Sequence, residues 1–156
     1  MNTSLSEAVF LDSSAILYYL TGDPKARDII EKAPRLAVNS IVYSEVAFNL
    51  LKLLYTRKYG QYKFYDMKSK IAMLDHDILE GYSILQDFLG EIQRENRLLY
   101  LPITLEVVRE ASNIATKHGL LPNDALIVAA CKHYGINVIV TFDKDFTKIP
   151  WLKVVP

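Results

Sequence analysis

Four short apolar runs, separated by longer segments with helical patterns, constrain the fold of this chain more than any other feature. The runs are Ala8–Leu11, Leu36–Asn39, Leu98–Leu101 and Asn137–Thr141. Apolar runs of this length are typical of strands that are buried on both faces. Such strands, alternating with helices, form a parallel sheet that helices cover on both sides. The sequence therefore predicts an α/β fold, and Lys153–Val155 is expected to add an edge strand.

The segments between these runs carry helix signals. Predicted helices cover Ser13–Leu20, Lys25–Lys32, a segment that Ser40 caps and that continues to about Lys58, a segment from Thr104 to Gly119, and Asn123–Tyr134. A long amphipathic helix is expected between the second and third of the four runs, because apolar residues recur there at steps of four and three. These residues are Ile78, Tyr82, Leu85, Leu89 and Ile92.

The chain has 156 residues, which fits one domain over 1–156, with residues 51–97 as a long helical segment resembling an insertion. The single cysteine, Cys131, excludes a disulfide framework and a cysteine-cluster zinc site. No basic leader precedes Lys25, and no apolar run approaches the ~18 residues of a membrane span. These features predict a cytoplasmic protein without a membrane partner.

The formal net charge is zero, but the charges are unevenly distributed along the chain. Residues 51–70 hold six basic side chains and one acid, whereas residues 71–95 hold one basic side chain and six acids. The six basic residues are Lys52, Arg57, Lys58, Lys63, Lys68 and Lys70. Two interpretations stay open: two solvated helix faces, or a local surface that binds phosphate groups.

Tyrosines recur at helical spacing among these basic residues. Because aromatic faces stack on unpaired bases and cations contact phosphates, the six basic residues are predicted to bind RNA together with Tyr55, Tyr59 and Tyr62. The alternative is a packing or dimer face with lysines at its border. A regular aromatic stripe at helical spacing is more often of this second kind.

Acidic residues occur near the ends of the predicted strands. Asp12 directly follows the first strand, and Glu45 lies in the first turns of the helix after the second. Asp124 opens a helix, and Asp143 lies two residues past the fourth strand. Because right-handed crossovers bring the carboxyl ends of parallel strands to one edge, these four carboxylates are expected to lie together.

Four carboxylates held together repel one another, and a divalent cation removes that repulsion. Oxygen-only ligands suit hard ions such as Mg²⁺ or Mn²⁺. One or two such ions can stabilise the attacking water and the leaving oxygen of phosphodiester hydrolysis. The sequence offers no competing nucleophile motif, since it contains no G-x-S-x-G and Cys131 lies in an apolar run.

Four segments resemble motifs of the PIN-domain ribonucleases, and they occur in that family's order. Leu11–Leu17 (LDSSAIL) resembles the opening motif, and Ser44–Val46 resembles the segment of the second acid. Leu121–Ala130 (LPNDALIVAA) is similar to the third-acid helix, and Val140–Phe146 (VTFDKDF) to the closing T-x-D-x-D-F segment. The match covers residues 8–50 and 98–150.

This resemblance implies a three-layer α/β/α sandwich with a short parallel sheet. It also implies endonucleolytic cleavage of RNA with Mg²⁺ or Mn²⁺, often by the toxin of a VapC-type toxin–antitoxin pair. Catalytic and metal-binding roles are thereby assigned to four acids, which are Asp12, Glu45, Asp124 and Asp143. Supporting roles are assigned to Ser13, Asn123, Thr141 and Asp145, the last of these as an alternative fourth acid.

Residues 51–97 depart from a compact member of that family and are compatible with a dimer surface, an antitoxin groove or a substrate clamp. The tyrosines and the long amphipathic helix favour a homodimer, because they offer more apolar surface than a thin sheet covers. RNA and an antitoxin protein are the other expected partners. The competing function is a non-catalytic PIN-like module that holds RNA or protein, against which the intact set of acids argues.

Overall fold

A computed structural model describes residues 7–156 as an α/β structure with five short strands. The strands are β1 (Ala8–Leu11), β2 (Arg35–Val38), β3 (Leu98–Tyr100), β4 (Val138–Val140) and β5 (Lys153–Val155). They form one sheet in the order β3-β2-β1-β4-β5, and each neighbouring pair is parallel. The predicted parallel sheet is therefore confirmed.

Seven helices and one 3-10 helix connect these strands within the described residues. The helices are α1 (Ser13–Leu20), α2 (Pro24–Lys32), α3 (Ser40–Tyr59), α4 (Phe64–Ala72), α5 (His76–Arg94), α6 (Leu105–His118) and α7 (Pro122–Tyr134), and the 3-10 helix spans Lys144–Lys148. None of the helices described is long and apolar enough to cross a membrane.

The order of the strands determines which face each helix covers. The chain moves outward from β1 through β2 to β3, then returns past β1 to β4 and β5. Because crossovers between parallel strands are right-handed, this reversal places α1–α5 on one face and α6 and α7 on the other. In agreement, α1 packs on α3, α3 packs on α5, and α6 packs on α7. The result is the expected α/β/α arrangement.

The reversal of direction between β1 and β4 also creates a crevice at their carboxyl ends. Open α/β sheets bind ligands at such a switch point, because the chain leaves the two strands toward opposite faces. The strand residues that lead into it are fully buried, with Leu11 and Val140 both 0% exposed. Because these strand ends are buried, the polar residue that follows each strand is held in a fixed position.

The ends of several elements differ from the sequence-based prediction by one residue. Strand β2 ends at Val38, because Asn39 is the N-cap of α3 and its Oδ1 accepts a hydrogen bond from the Val42 N–H at 3.1 Å. The prediction of Ser40 as the cap was wrong. Thr104 caps α6 and Gly119 ends it in the left-handed conformation, with φ at 67°, as predicted.

The long amphipathic helix α5 is present, but its packing face is rotated from the predicted one. Ile78 and Leu85 are buried as expected, whereas Tyr82 is 40% exposed. Gly81 takes the contact position instead, since a Cβ there would lie 3.2 Å from both Leu50 Cβ and Leu51 N on α3. A glycine therefore allows α3 and α5 to approach each other closely.

Candidate metal centre

Polar side chains follow β1 and β4 at the switch point of the sheet. Asp12 comes directly after β1, and Thr141 directly after β4. The ladder between these strands continues to the acid itself, because the Asp12 N–H donates to the Val140 carbonyl at 3.0 Å. Asp12 is only 4% exposed and Thr141 only 2%. The carboxylate is thus held at a fixed place on a buried strand end.

Two hydroxyl groups hold the Asp12 carboxylate. Thr141 Oγ1 donates to Asp12 Oδ2 at 2.7 Å, and Ser14 Oγ donates to the same oxygen at 3.1 Å. Each hydroxyl in turn accepts from the backbone that follows β4. The Asp143 N–H donates to Thr141 Oγ1 at 3.0 Å, and the Phe142 N–H donates to Ser14 Oγ at 2.9 Å. This network ties the first acid to the segment that carries the fourth.

The pKa of Asp12 reflects opposing effects. Burial raises the pKa above its usual value, because the charged form loses its hydration. The hydrogen bonds from Thr141, the Ser13 backbone and Ser14 lower the pKa, and the charge of Glu45 raises it. The net direction is upward, which means that the surroundings of Asp12 disfavour its charged form.

Asp124 lies in the first turn of α7, where Pro122 starts the helix. The pKa of Asp124 is raised to about 6, most strongly by burial and further by four neighbouring carboxylates. In decreasing order of effect these are Asp143, Asp12, Glu45 and Asp145. Asp124 therefore lies within electrostatic reach of every other acid at this edge. We call these five residues the acid cluster.

The 3-10 helix after β4 brings two further acids to the cluster. Asp143 caps it, with its Oδ1 accepting from the Asp145 N–H at 2.9 Å. One carboxylate oxygen each from Asp124, Asp143 and Asp145 lies within 4.8 Å of the others, which is close enough for a shared cation. Lys148 Nζ lies 3.3 Å from Asp145 Oδ1 at the solvent-facing side, where the Asp145 side chain is 50% exposed.

Glu45 reaches the cluster from α3, on the opposite face of the sheet from α7. Asn123 Nδ2 donates to Glu45 Oε1 at 2.9 Å, which connects the start of α7 to α3 across the edge. The four acids predicted from sequence are thus brought together from four separate segments of the chain. The donor set consists of carboxylate oxygens alone, which suits hard divalent cations.

The supporting residues differ from the prediction at one position. Thr141 and Asn123 both donate to acids of the cluster, and Asp145 lies within it. The hydroxyl that holds Asp12 belongs to Ser14, whereas Ser13 contributes through its backbone. The reason is helix geometry: the side chain two residues after Asp12 faces β4. The sequence signal was a second serine in the first turn of an otherwise apolar helix.

The tyrosine stripe serves mainly as packing, which contradicts the role predicted for Tyr55 in RNA stacking. Tyr55 is 2% exposed, and its hydroxyl donates to Asp66 at 2.7 Å. It belongs to a small second core with Leu51, Met67 and Ile78. A ring enclosed in this way has no free face for a base.

Lysines cover the other two tyrosines of the predicted RNA surface. Lys52 Nζ lies 4.5 Å from the ring centre of Tyr62, and Lys58 and Lys70 lie 5.3 Å and 4.9 Å from that of Tyr59. Lys58 also forms ion pairs with Asp75 and Asp77, which belong to the acidic segment. The basic and acidic segments therefore partly neutralise each other.

The remaining basic residues predicted to bind RNA are Arg57, Lys63 and Lys68, all of which are exposed. Arg57 lies on the last turn of α3, 12 residues beyond Glu45, which corresponds to roughly 18 Å along the helix. Arg57 is therefore remote from Glu45 along α3, and the contact of the basic residues with RNA stays a prediction.

A family model described as the PIN domain matches residues 9–152. Ribonuclease VapC2 of Methanocaldococcus jannaschii is 35% identical over 155 residues, covering 94% of this chain and 92% of that protein. Ribonuclease VapC6 of the same organism is 32% identical over 151 residues, covering 94% of this chain and 95% of the relative. Both alignments extend over almost the full length of each protein.

Solved structures share the fold at lower sequence identity. The VapBC2 complex of Rickettsia felis, bound to a DNA fragment from its promoter, matches with a TM-score of 0.63 at 18% identity, over 95% of this chain and 97% of that one. VapC20 of Mycobacterium tuberculosis, a toxin that cleaves the sarcin–ricin loop, matches with a TM-score of 0.60 at 18% identity, over 95% and 99%. These similarities extend over the helical segment 51–97 as well as the sheet.

Proposed function

The chain belongs to the PIN-domain family as a VapC-type member, and on that premise we propose that it is an endoribonuclease that hydrolyses RNA with Mg²⁺ or Mn²⁺ at its acid cluster. The observation that carries this proposal is the convergence of five carboxylates from four segments at the switch point of the sheet. Burial and mutual repulsion raise the pKa of Asp12 and Asp124, and a bound cation would offset the negative charge of the cluster.

The donor set fits a hard divalent ion. Asp124 and Asp143 are the proposed ligands, with Asp12 or Asp145 as a further one. The ligand role that the sequence predicts for Glu45 stays a prediction. A bound Mg²⁺ or Mn²⁺ would stabilise the negative charge that develops on the attacking water and on the leaving oxygen of the phosphodiester. All five side chains are carboxylates, and none is a soft ligand such as cysteine or methionine.

The residues of the chain have distinct tasks in this hydrolysis. Thr141 and Ser14 hold the Asp12 carboxylate through Oδ2. Asn123 holds Glu45 through Oε1, which leaves Glu45 Oε2 to accept a hydrogen bond from the attacking water. Hydrolysis adds this water across a P–O bond: its oxygen bonds to phosphorus, and a proton ends on the leaving oxygen. Rigid carboxylates favour the reaction because they need no rearrangement when it occurs.

The test is cleavage of a panel of single-stranded and structured RNAs by the purified protein with Mn²⁺. We expect cleavage that EDTA abolishes and that Asp12→Asn lowers by more than about 100-fold, since even residues behind metal ligands are worth 10- to 100-fold. Asp87→Asn, an exposed acid on α5, is the matched control and should cleave normally. Cleavage that survives in EDTA or in Asp12→Asn would contradict the proposal.

The competing function is a binding module without catalysis. It predicts RNA binding that Asp12→Asn leaves intact, with no cleavage by the wild-type protein under any metal condition. The retained carboxylates and the similarity to two VapC ribonucleases favour the enzyme.

We also infer two protein partners. Solved VapBC complexes among the structural matches support an antitoxin that binds this chain.

An exposed aromatic patch of Phe48, Phe64 and Tyr65, which are 41%, 46% and 82% exposed, supports a homodimer. Light scattering on the wild type and on Tyr65→Asp tests the dimer: we expect twice the chain mass for the first and the chain mass for the second. A monomeric wild type would contradict it.

A further inference from the structure

Two aromatic rings are stacked beside the acid cluster. Tyr18 lies on α1 and Phe142 lies between Thr141 and Asp143, and their ring centroids are 4.2 Å apart at an interplanar angle of 25°. Tyr18 is one helical turn beyond Ser14 and six residues beyond Asp12, which corresponds to roughly 9 Å along the helix. The pair therefore borders the place where the scissile phosphate would lie.

The hydrogen-bond network of the site holds this pair in place. The Phe142 N–H donates to Ser14 Oγ at 2.9 Å, and Ser14 Oγ donates to Asp12 Oδ2 at 3.1 Å. The backbone of one ring and the helix of the other are thus linked to the same carboxylate. A ring held this way loses little freedom when a ligand stacks on it.

Tyr18 still presents aromatic surface to solvent. Tyr18 is 46% exposed, although one side of its ring packs against Phe142. By contrast, Tyr55 is enclosed, and lysines lie over the rings of Tyr59 and Tyr62. Among these tyrosines, Tyr18 combines an exposed side chain with a position next to the acids.

We propose that Tyr18, supported by Phe142, is a subsite that stacks an unpaired nucleobase next to the scissile phosphate. The inference rests on the proposed function, since it takes RNA as the substrate. Stacking needs a base that has left its helix, so the subsite selects single-stranded or splayed nucleotides. Because every base has an aromatic face, this contact favours unpaired RNA without specifying one sequence.

Four variants separate stacking from packing. Tyr18→Phe keeps the aromatic ring, Tyr18→Leu keeps an apolar side chain against Phe142, and Tyr18→Ala removes both. Tyr82→Ala, which removes a tyrosine of similar exposure on α5, is the matched control. Thermal unfolding of each variant checks that it is folded before kinetics are compared.

On an RNA that the wild type cleaves, we expect Tyr18→Leu and Tyr18→Ala to raise KM by about tenfold, within the range measured for base–aromatic stacking. We expect kcat to change by less than about twofold, because the acids are untouched. Tyr18→Phe and Tyr82→Ala should match the wild type. Equal KM values for Tyr18→Leu and the wild type would overturn the subsite while leaving the proposed function standing.

A binding experiment tests the subsite independently of turnover. The protein carries Asp12→Asn so that it binds RNA without cleaving it. Two fluorescent probes are used: an oligouridine of about 12 nucleotides, which covers a typical single-strand site, and an abasic oligomer of the same length. We expect Tyr18→Leu to weaken binding of oligouridine about tenfold and to leave binding of the abasic oligomer unchanged. The salt dependence should stay the same, since no phosphate contact is lost.

The outcomes distinguish the two claims. If the wild type cleaves no RNA but oligouridine binding falls in Tyr18→Leu, the subsite stands and the proposed catalysis fails. If Tyr18→Leu weakens both oligomers equally, or weakens neither, the base-stacking subsite is wrong. If no binding of oligouridine is detected in the Asp12→Asn protein with Tyr18 intact, the subsite is also wrong.

Discussion

Replacing Asp124 with asparagine should stabilise the metal-free protein at neutral pH and remove most of its stabilisation by Mn²⁺. Burial and the charges of Asp143, Asp12, Glu45 and Asp145 oppose the ionised Asp124 carboxylate. Asparagine has nearly the same shape and carries no charge, so it relieves that repulsion. It also removes a proposed metal ligand, so the same change should weaken metal binding.

The size of the effect follows from the pKa of Asp124. A rise from 3.8 to about 6 corresponds to about 3 kcal/mol if no screening occurs. The side chain is only partly buried, so water screens this repulsion, and the dipole of α7 favours the carboxylate by up to about 1 kcal/mol. We therefore expect a net gain of about 1 kcal/mol for Asp124→Asn, or about 2–4 °C in Tm.

The pH dependence has a defined sign. The pKa of Asp124 is higher in the folded protein than in the unfolded chain, so the folded state binds more protons between these values. The wild type therefore loses stability relative to Asp124→Asn as the pH rises from about 4 through about 6. The difference should vanish below about pH 4 and reach its full size above about pH 7.

The assay is calorimetric unfolding of the wild type, Asp124→Asn and the exposed-site control Asp87→Asn, in EDTA and in Mn²⁺. At a Mn²⁺ concentration 100 times its Kd, the free energy of unfolding of the wild type rises by about 2.7 kcal/mol. The wild type then becomes more stable than Asp124→Asn. The control should behave like the wild type in both buffers. Lower stability of Asp124→Asn in EDTA at about pH 7.5 would show that charge repulsion at Asp124 does not destabilise the metal-free protein. Equal stabilisation of both proteins by Mn²⁺ would show that Asp124 is not a metal ligand.

Two further predictions concern a buried hydroxyl and a helix contact. Thr141→Val removes the shorter of the two hydroxyl hydrogen bonds to Asp12 Oδ2 and leaves the Asp143 N–H without its acceptor, so it should lower cleavage by about 10- to 100-fold. Thr141→Ser should retain most of the activity, and equal activities of the two variants would count against the network. Gly81→Ala places a Cβ 3.2 Å from Leu50 and Leu51 and should cost about 1–3 kcal/mol in urea unfolding. Gly90→Ala is the control, because its Cβ meets only the flexible Arg94 guanidinium at 3.3 Å, and it should be neutral or stabilising. A similar loss of stability in both variants would show that close packing at Gly81 is not the cause.

The parallel sheet and the meeting of the acids were predictable from sequence, because both follow from strong local signals. Apolar runs identified the strands, and the rule that parallel strands end at one edge brought Asp12 and Asp143 together. The order of the strands was not predictable in the same way. It depends on which crossover doubles back past β1, and no local pattern encodes that choice.

Side-chain partners were less accessible to sequence reasoning. The start of α1 was predicted correctly, but neighbouring helical side chains point about 100° apart, and whether Ser13 or Ser14 faces Asp12 depends on how the helix is rotated against the sheet. The burial of Tyr55 and the exposure of Tyr82 were equally hard to predict, since a tyrosine at helical spacing suits either a core or a surface. Asp66, which binds the Tyr55 hydroxyl, lies on a helix that the sequence did not separate from its neighbours.

The anomalous scattering of Mn²⁺ in a crystal of the protein would show whether the acid cluster holds a divalent cation. We expect a peak bounded by carboxylate oxygens of Asp124 and Asp143, with Asp12 or Asp145 as a further ligand, and we expect its loss in Asp124→Asn crystals. A wild-type crystal with Mn²⁺ bound only elsewhere, from a preparation that cleaves RNA, would show that the acid cluster is not the metal site.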